Sequence, residues 1–420
     1  MRRIFIAMVA AMFAISFSAV DGFAQTSADQ NCLGWEREMR SAAGYDDLGR
    51  PVLDRLDGDE SHGQLLNSWV EDNCMRLNYT QVLGTHNSYH LQPRASILWL
   101  VSQYSPEEAM NMEYTHRPLA EQLELFGVRQ VELDVFADPD GGRFAMPLGP
   151  LLVPPHVPDP IKPELLEPGL KVLHVQDIDF ETTCLTFKSC LETLKAWSVA
   201  NPGHLPIMVQ IEAKDDPIPV PGFPWTVPLP FNADALNEID ATIDEVFTDD
   251  QLITPDAVRG GRATLEEAVL KDGWPTLNES RGRFLFTLDN EDAKRDTYIA
   301  GHPSLEGRML FTSSPPGSPE SAFVKVNDPI ADGAYISSLV AAGYIVRTRA
   351  DDDTRQARPP ADYTMRDAAL ASGAQFVSTD YIEPNPDFGT GYYVDIPGDD
   401  VARCNPVLSP PGCDSSKFEN

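Results

Sequence analysis

Six polar side chains between positions 86 and 212 are of types that bind cations or move protons. They are His86, Asn87, Glu132, Asp134, His174 and Glu212. Side chains along a strand repeat every two residues, so Glu132 and Asp134 are expected on the same side of one strand. The amide and the three carboxylates offer only oxygen ligands, which Ca²⁺ prefers, whereas zinc favours His or Cys. The two histidines then remain available to donate protons or hydrogen bonds near a phosphate.

Short runs rich in β-branched and aromatic residues recur from residue 80 onward, and they position these side chains. We predict eight strands from them: Gln81–Gly84, Arg129–Val135, Lys171–Val175, Ile207–Ile211, Arg283–Leu288, Met309–Thr312, Tyr344–Thr348 and Gln375–Ser378. Their apolar character is nearly continuous rather than alternating. That pattern is typical of parallel strands buried on both faces of a sheet.

Amphipathic segments between the runs predict helices that alternate with the strands. The clearest are Leu119–Phe126, Cys190–Ala200, Ala233–Phe247, Ala331–Ala342 and Thr364–Ala371. Gly127, Gly343 and Gly373 follow three of them, where helix C-caps are needed. Eight strands alternating with helices favour a (β/α)₈ TIM barrel over a doubly wound open sheet, whose glycine-rich fingerprint the sequence lacks. Barrel active sites lie at the carboxyl ends of strands, and the six polar side chains come from four consecutive predicted strand ends.

Two proline-rich segments, residues 147–168 and 216–231, each follow a predicted strand. Both therefore belong to the barrel face on which the loops after the strands build active sites. The second segment is stiffened by proline and carries apolar side chains. It is interpreted either as a packed crossover loop or as a rigid rim that touches lipid.

The charge balance narrows the possible partners. Lys and Arg total 32 against 64 Asp and Glu, for a formal net charge of −32. Nucleic acid binding requires a basic surface, so this balance argues against a nucleic acid partner. The surplus of carboxylates is compatible with cation sites.

The N-terminus has the features of a cleavable export signal. Arg2 and Arg3 precede an apolar stretch, and Gly22 and Ala24 supply small residues before Gln25. We therefore predict a secreted or periplasmic protein. The predicted divisions are a signal peptide over 1–24, an N-terminal cap over 25–78, a catalytic barrel over 79–400 and a C-terminal tail over 401–420.

An even number of cysteines in an exported chain predicts disulfides. Six are present, none in a C-x-x-C spacing. Proximity in sequence favours Cys184–Cys190 and Cys404–Cys413, which leaves Cys32–Cys74.

The ordered polar set is similar to that of a known family. Thr85-His86-Asn87-Ser88, Glu132-x-Asp134, His174 and Glu212 resemble the X-region of the calcium-dependent phosphoinositide-specific phospholipases C, above all its secreted bacterial members. The resemblance is strong over residues 80–216. From there to Tyr381 only the barrel rhythm supports it.

The resemblance implies a chemistry for each residue. Asn87, Glu132, Asp134 and Glu212 would bind one Ca²⁺, which would lower the pKa of the inositol 2-hydroxyl. Glu132 would accept the hydroxyl proton, and the 2-oxygen would attack phosphorus to give cyclic inositol phosphate and release diacylglycerol. His86 would stabilise charge in the transition state, and His174 would protonate the leaving glycerol oxygen.

The expected substrate is a phosphoinositide or a related diester, met through transient contact with a membrane surface. Animal members of the family grip ring phosphates with lysines near the fifth strand, where this sequence has Thr287 and Asp289. Plain phosphatidylinositol therefore fits better than a polyphosphorylated head group. The candidate substrate contacts are Lys214, Arg347, Arg349 and Tyr381.

Two alternatives remain open at the level of sequence. A glycerophosphodiester phosphodiesterase shares the barrel, a divalent cation and two histidines, but it is expected to carry His-Arg-Gly where this chain has His86-Asn87-Ser88. A non-catalytic secreted barrel that binds lipid or sugar would retain the same residues without activity.

Overall fold

The computed structural model describes residues 74–419, apart from 292, 353, 399, 411 and 412. Its strands are short and largely buried. They are β1 (Thr80–Thr85), β2 (Gln130–Phe136), β3 (Lys171–Val172), β4 (Ile207–Ala213), β5 (Phe284–Leu288), β6 (Leu310–Thr312), β7 (Phe323–Lys325), β8 (Ile345–Arg349), β9 (Phe376–Thr379) and β10 (Ala402–Cys404).

Helices alternate with these strands, as the amphipathic segments predict. They are α1 (Ala95–Ser102), α2 (Pro106–Asn111), α3 (Leu119–Leu125), α4 (Gly149–Leu152), α5 (Phe187–Ala200), α6 (Ala233–Val246), α7 (Pro255–Arg259), α8 (Leu265–Lys271), α9 (Leu277–Ser280), α10 (Ala293–Ile299), α11 (Pro329–Ala342) and α12 (Thr364–Ser372). Thr186 begins α5 with a capping box, and Asn232 caps α6 through its side chain. Gly343 and Gly373 end α11 and α12 in the left-handed conformation that glycine adopts freely.

Eight strands form a parallel sheet in the order β6-β5-β4-β2-β1-β9-β8-β7. A parallel bridge between Ser313 and Phe323 connects the β6 and β7 ends, so the sheet is nearly closed into a barrel. The predicted (β/α)₈ fold is confirmed. Apolar helix faces such as Leu236, Ile239 and Ile243 of α6 pack into the main core around the strands, and each such side chain contributes about 1.5–3 kcal/mol on burial.

One predicted barrel strand is wrong. Only Lys171 and Val172 of the segment 171–175 form a strand, and β3 runs antiparallel to the end of β2. It is part of the connection from β2 to β4. The barrel instead uses β7, a three-residue strand that the sequence analysis missed. The apolar run at 171–175 has the composition of a barrel strand, and composition alone does not separate the two roles.

The corrected strand assignment changes the position expected for His174. It lies on the connection that follows β2, not at the end of a third barrel strand. The connection still rises from the carboxyl end of the barrel, since β2 is parallel to β4. His174 therefore remains on the face that holds the other candidate residues, although it is placed by a loop.

The C-terminal residues pack onto the barrel. Strand β10 pairs antiparallel with β1, and Phe418 is buried. The disulfides Cys184–Cys190 and Cys404–Cys413 are both present, as predicted. Cys32 lies outside the described residues, as do the predicted signal peptide and nearly all of the predicted cap. The domain divisions therefore stay a prediction. Across the described part of the chain, no helix has the length and apolarity needed to cross a membrane.

Candidate active site

Three carboxylates meet at the carboxyl ends of two neighbouring strands. Asp134 of β2 lies opposite Glu212 of β4 in the parallel register, and Glu132 lies two residues before Asp134. The period-two alternation of a strand therefore turns Glu132 and Asp134 to the same side. One oxygen from each of the three carboxylates lies within 4.8 Å of the others. The structure thus brings three of the four predicted ion ligands together.

Burial makes this cluster electrostatically costly. Burial raises the pKa of Glu132 to about 7, although Arg347 opposes the rise. Burial also raises the pKa of Asp134 well above its usual value, despite the nearby Lys214. The Lys214 ammonium lies 3.3 Å from Asp134 and 3.4 Å from Glu212. Three carboxylates this close require positive charge beside them.

Asn87, the fourth predicted ion ligand, lies in the turn that follows β1. It adopts a positive φ of 45°, a conformation that Asn tolerates better than most residues. The turn is tied to β2, because the Ser88 amide donates to the Glu132 carbonyl and the Ser88 hydroxyl accepts from the Glu132 amide at 2.8 Å. The Asn87 Nδ2 donates to the Tyr114 hydroxyl at 2.9 Å. The buried Oδ1 of Asn87 makes no hydrogen bond.

These donors fit a calcium ion. The Oδ1 atoms of Asp134 and Asn87 are buried without a hydrogen bond or an ion pair, and such atoms normally have a partner. All of the candidate ligand atoms are oxygens, which suits a hard cation. The cluster therefore has the chemistry and the uncompensated atoms that a Ca²⁺ site requires.

The first histidine is held between an acid and an arginine. His86 Nδ1 lies 2.7 Å from Asp380 Oδ1, and Arg349 Nη2 donates to Asp380 Oδ2 at 2.8 Å. Arg349 Nη1 lies 3.2 Å from His86 Nε2. An ionised carboxylate only accepts, so Nδ1 carries the imidazole proton and Nε2 offers a lone pair to Arg349.

The charges around His86 keep it neutral. Burial, and then the Arg349 charge, lower the pKa of His86 to about 3, although Asp380 opposes them. Burial works against the ionisation of Asp380, but Arg349 and His86 outweigh it and hold the Asp380 pKa below its usual value. The trio is thus a neutral imidazole beside a buried ion pair.

The second histidine is anchored by a carboxylate from its own loop. His174 Nδ1 donates to Asp179 Oδ2 at 2.6 Å. The fully buried His90 donates from Nε2 to the same carboxylate at 2.9 Å, and its Nδ1 lies 3.1 Å from the Tyr114 carbonyl oxygen. Burial opposes the charge on Asp179, but His90 and His174 hold its pKa at about 2. Asp179 therefore fixes the orientation of His174.

The candidate substrate contacts take different positions. Arg347 is buried and donates to Glu132 Oε2 and to Asn327, at 2.6 Å each. Lys214 pairs with the carboxylate cluster, and Arg349 pairs with Asp380. The ring of Tyr381 is buried among aromatic neighbours, 6.2 Å from the Phe388 ring. A substrate contact by each of these residues stays a prediction.

Two anchoring residues were missed by the sequence analysis. Asp380 directly follows β9, so its position at a strand end was a usable signal, but the neighbouring Tyr381 was chosen instead. Asp179 carries no such signal, since it lies in an irregular loop five residues after His174. The structure also buries His90 against Asp179.

Comparisons with known proteins were made for the whole chain. A family model described as phosphoinositide phospholipase C, Ca²⁺-dependent, matches residues 75–406. No curated protein matches the sequence.

Several solved structures are similar. A calcium-dependent phosphoinositol-specific phospholipase C from a Pseudomonas species is 16% identical, with 74% of this chain and 92% of that chain covered and a TM-score of 0.47. A Ca²⁺-dependent phosphatidylinositol-specific phospholipase C from Streptomyces antibioticus is 21% identical, with 75% of this chain and 98% of that chain covered and a TM-score of 0.47. A glycerophosphoryl diester phosphodiesterase from Parabacteroides distasonis is 11% identical, with 72% of this chain and 84% of that chain covered and a TM-score of 0.27.

Proposed function

Because the chain belongs to the family of Ca²⁺-dependent phosphoinositide phospholipases C, whose members cleave phosphodiesters, we propose that its substrate is phosphatidylinositol. The products are a cyclic inositol phosphate and diacylglycerol. The observation that supports this most directly is the site itself. Two histidines are each anchored by a buried carboxylate. His86 lies 3.9 Å from Glu132 of the oxygen-only cation cluster, and His174 lines a cavity together with Lys214, which pairs with that cluster. One proton acceptor and one proton donor are what an intramolecular attack with a leaving alcohol requires.

Asn87, Glu132, Asp134 and Glu212 would hold the ion. When bound, Ca²⁺ supplies positive charge that stabilises the charge developing on the phosphate and on the attacking oxygen. Arg347 holds one oxygen of Glu132, which fixes the orientation of that carboxylate. Lys214 offsets part of the negative charge of Asp134 and Glu212, and it turns to the diester when substrate enters.

We place His86 as the group that takes the proton of the inositol 2-hydroxyl. Its Nε2 carries a lone pair, with Arg349 Nη1 3.2 Å away. Glu132, the base that the family resemblance implies, would be a ligand of the ion and also has its Oε2 engaged by Arg347. An anionic diester beside the ring favours the protonated form of His86 and makes it a better base. Arg349 then supplies the positive charge that was expected from His86 itself.

His174 protonates the glycerol oxygen as the phosphorus–oxygen bond breaks. Its Nδ1 is bound to Asp179, so Nε2 is the nitrogen that can present a proton. The side chain is partly exposed while its anchor is fully buried. That combination lets a substrate reach the ring without loosening its orientation.

The head group is plain inositol phosphate. Asp289 at the end of β5 accepts from Lys325 Nζ at 2.7 Å, so the cation nearest to this position is already paired. A carboxylate repels an added ring phosphate. We also propose that the chain is exported, on the pattern of its first 24 residues, and that it touches membranes transiently.

Exposed apolar side chains support the membrane contact. Trp99 of α1, Leu151 of α4, Val157 and Val227 are all exposed, and all lie on the connections that follow β1, β2 and β4. Apolar side chains on one face around a site are typical of an interfacial rim.

The test is release of cyclic inositol phosphate from phosphatidylinositol vesicles, with Ca²⁺ and then with a chelator. Calcium-dependent cyclic product is expected. Cleavage of glycerophosphodiesters without a cyclic product would favour the glycerophosphodiester phosphodiesterase. No cleavage of either would favour the non-catalytic barrel.

Substrates with different leaving groups distinguish the roles of the two histidines, because only a poor leaving group needs a proton from an acid. A p-nitrophenyl ester of inositol phosphate releases a stable anion and needs no acid. His174→Ala is therefore expected to lose most activity on phosphatidylinositol and to keep most activity on the aryl ester. His86→Ala is expected to lose both. Equal losses of His174→Ala on the two substrates would refute the acid role.

A further inference from the structure

An apolar cavity of about 430 Å³ begins at the second histidine. It lies between the end of α1 and the proline-rich segment that follows β4. His174 and Lys214 form its polar side, and the apolar lining includes Leu100, Val101, Tyr104, Ile218, Phe223 and Trp225. Its volume is within the range of small-molecule sites, roughly 300–1,000 Å³.

Buried hydrogen bonds hold the walls of this cavity in place. Asp177 is buried and accepts from the Thr226 amide at 2.6 Å, from the Thr226 hydroxyl at 2.9 Å and from the Leu148 amide at 2.9 Å. One carboxylate thus joins both proline-rich segments. The Trp225 indole donates to the Val220 carbonyl at 2.7 Å, which closes the loop around the cavity. The cavity is therefore preformed.

Aromatic rings extend the wall from the loop to the end of α1. The Phe223 and Trp225 ring centroids are 5.0 Å apart, and the Tyr104 ring meets Phe223 edge-on at 6.2 Å. The charged groups of the lining besides Lys214 and His174 are Glu108 and Asp216, both exposed. Acidic groups at the opening disfavour an anionic occupant, so the cavity suits a neutral apolar group.

We propose that this cavity binds the apolar half of the substrate, which is the glycerol backbone and the first carbons of its acyl chains. The inference rests on the proposed function, because His174 is the group that meets the leaving oxygen. The glycerol and acyl groups bonded to the leaving oxygen extend away from the inositol ring, and the cavity begins at His174, next to that oxygen. The volume accommodates a short stretch of chain, so the rest of a long acyl chain stays outside.

The test uses soluble substrates, so that membrane contact does not contribute. Methyl, butyl and octyl esters of inositol phosphate are compared below the concentration at which they aggregate. A methylene that leaves water contributes a factor of up to about four. We expect kcat/KM to rise steeply from methyl to octyl. Phe223→Ala is expected to flatten this rise. Val199→Ala, which replaces an exposed apolar residue of α5 outside both the cavity and the rim, is the control.

Direct binding gives a second and independent measurement. Dihexanoylglycerol is titrated into the protein by calorimetry, with and without Ca²⁺. Binding is expected in both conditions, and Ile218→Trp, which fills part of the cavity, is expected to weaken it at least tenfold. Circular dichroism confirms that each variant is folded.

The outcomes separate the two proposals. Cleavage of all three esters at equal kcat/KM would overturn the cavity as a binding site while leaving the proposed function intact. Cleavage of none would overturn the proposed function. In that case dihexanoylglycerol binding that Ile218→Trp removes still supports an apolar site, and lack of binding overturns it.

Discussion

Replacing Asp380 by Asn should invert the proton position on His86. Arg349 only donates, so the carbonyl oxygen of the new amide must face Arg349 Nη2, where Asp380 Oδ2 lies at 2.8 Å. The amide nitrogen then faces His86 Nδ1, which must become an acceptor. The imidazole proton moves to Nε2 and points at Arg349 Nη1, 3.2 Å away. The base loses its lone pair, and two donors oppose each other.

The expected loss of activity is large. In Ser-His-Asp triads, an amide in place of the acid sets the wrong imidazole tautomer and lowers kcat about 10⁴-fold, which corresponds to about 5 kcal/mol. We expect about 10³–10⁴-fold for Asp380→Asn on phosphatidylinositol. Stability should also fall by about 3 kcal/mol, because the variant leaves the buried Arg349 without its counter-charge.

The assay measures kcat for cyclic inositol phosphate and the tautomer of His86 by ¹⁵N NMR. Asp352→Asn is the matched control, because Asp352 also pairs with Arg349, at 3.6 Å, but is 72% exposed. Exposed pairs contribute about 0–1 kcal/mol, so this control should keep activity within about twofold. If Asp380→Asn keeps more than a tenth of wild-type activity, His86 acts as a hydrogen-bond donor to the transition state, as the family resemblance implies, and the base assignment is refuted.

Three further predictions follow from single contacts. Burial lowers the pKa of His116 to about 4, so the unfolded chain takes up a proton first as the pH falls below about 6.5. Its contribution to stability in urea unfolding should therefore be about 2 kcal/mol less at pH 5 than at pH 7.5, and His116→Gln, whose amide can still donate to the His86 carbonyl, should reduce the pH dependence by that amount. Asp289→Asn weakens the pair with Lys325. In competition assays it should lower the ratio of kcat/KM for phosphatidylinositol to that for its bisphosphate at least threefold, and an unchanged ratio would show that Asp289 does not select the head group. Trp99→Ala should weaken vesicle binding about tenfold in sedimentation assays, while Leu125→Ala, exposed on the helix before β2 and thus towards the opposite face, should not; equal effects would argue against the rim.

The sequence predicted those parts of the fold and site that depend on local pattern. Continuous apolar runs identified seven of the eight parallel barrel strands, and the period of two in β2 correctly placed Glu132 and Asp134 on one side. The error at 171–175 arose because β3 is apolar for a different reason, its pairing with the end of β2. Strand β7 has only three residues, which is too short for a recognisable run.

The anchors of the histidines were not predictable in the same way. Asp380 and His86 are 294 residues apart and meet only because β9 pairs with β1 in the closed sheet. Asp179 and His90 are 89 residues apart and meet through irregular backbone. Neither contact produces a periodic pattern in the sequence, so only the three-dimensional structure reveals these buried hydrogen bonds.

The carboxylates that anchor the two histidines have different partners, which supports the different roles proposed for the two rings. Asp380 shares its charge with a guanidinium, and that cation disfavours a second proton on His86. Asp179 shares its charge with a second imidazole, His90, and with His174 itself. Acid and base roles are assigned where environments differ in this way. Under the proposed mechanism, the neutral ring beside Arg349 accepts a proton only once the anionic diester lies beside it, and the ring held against Asp179 delivers one at the mouth of the apolar cavity.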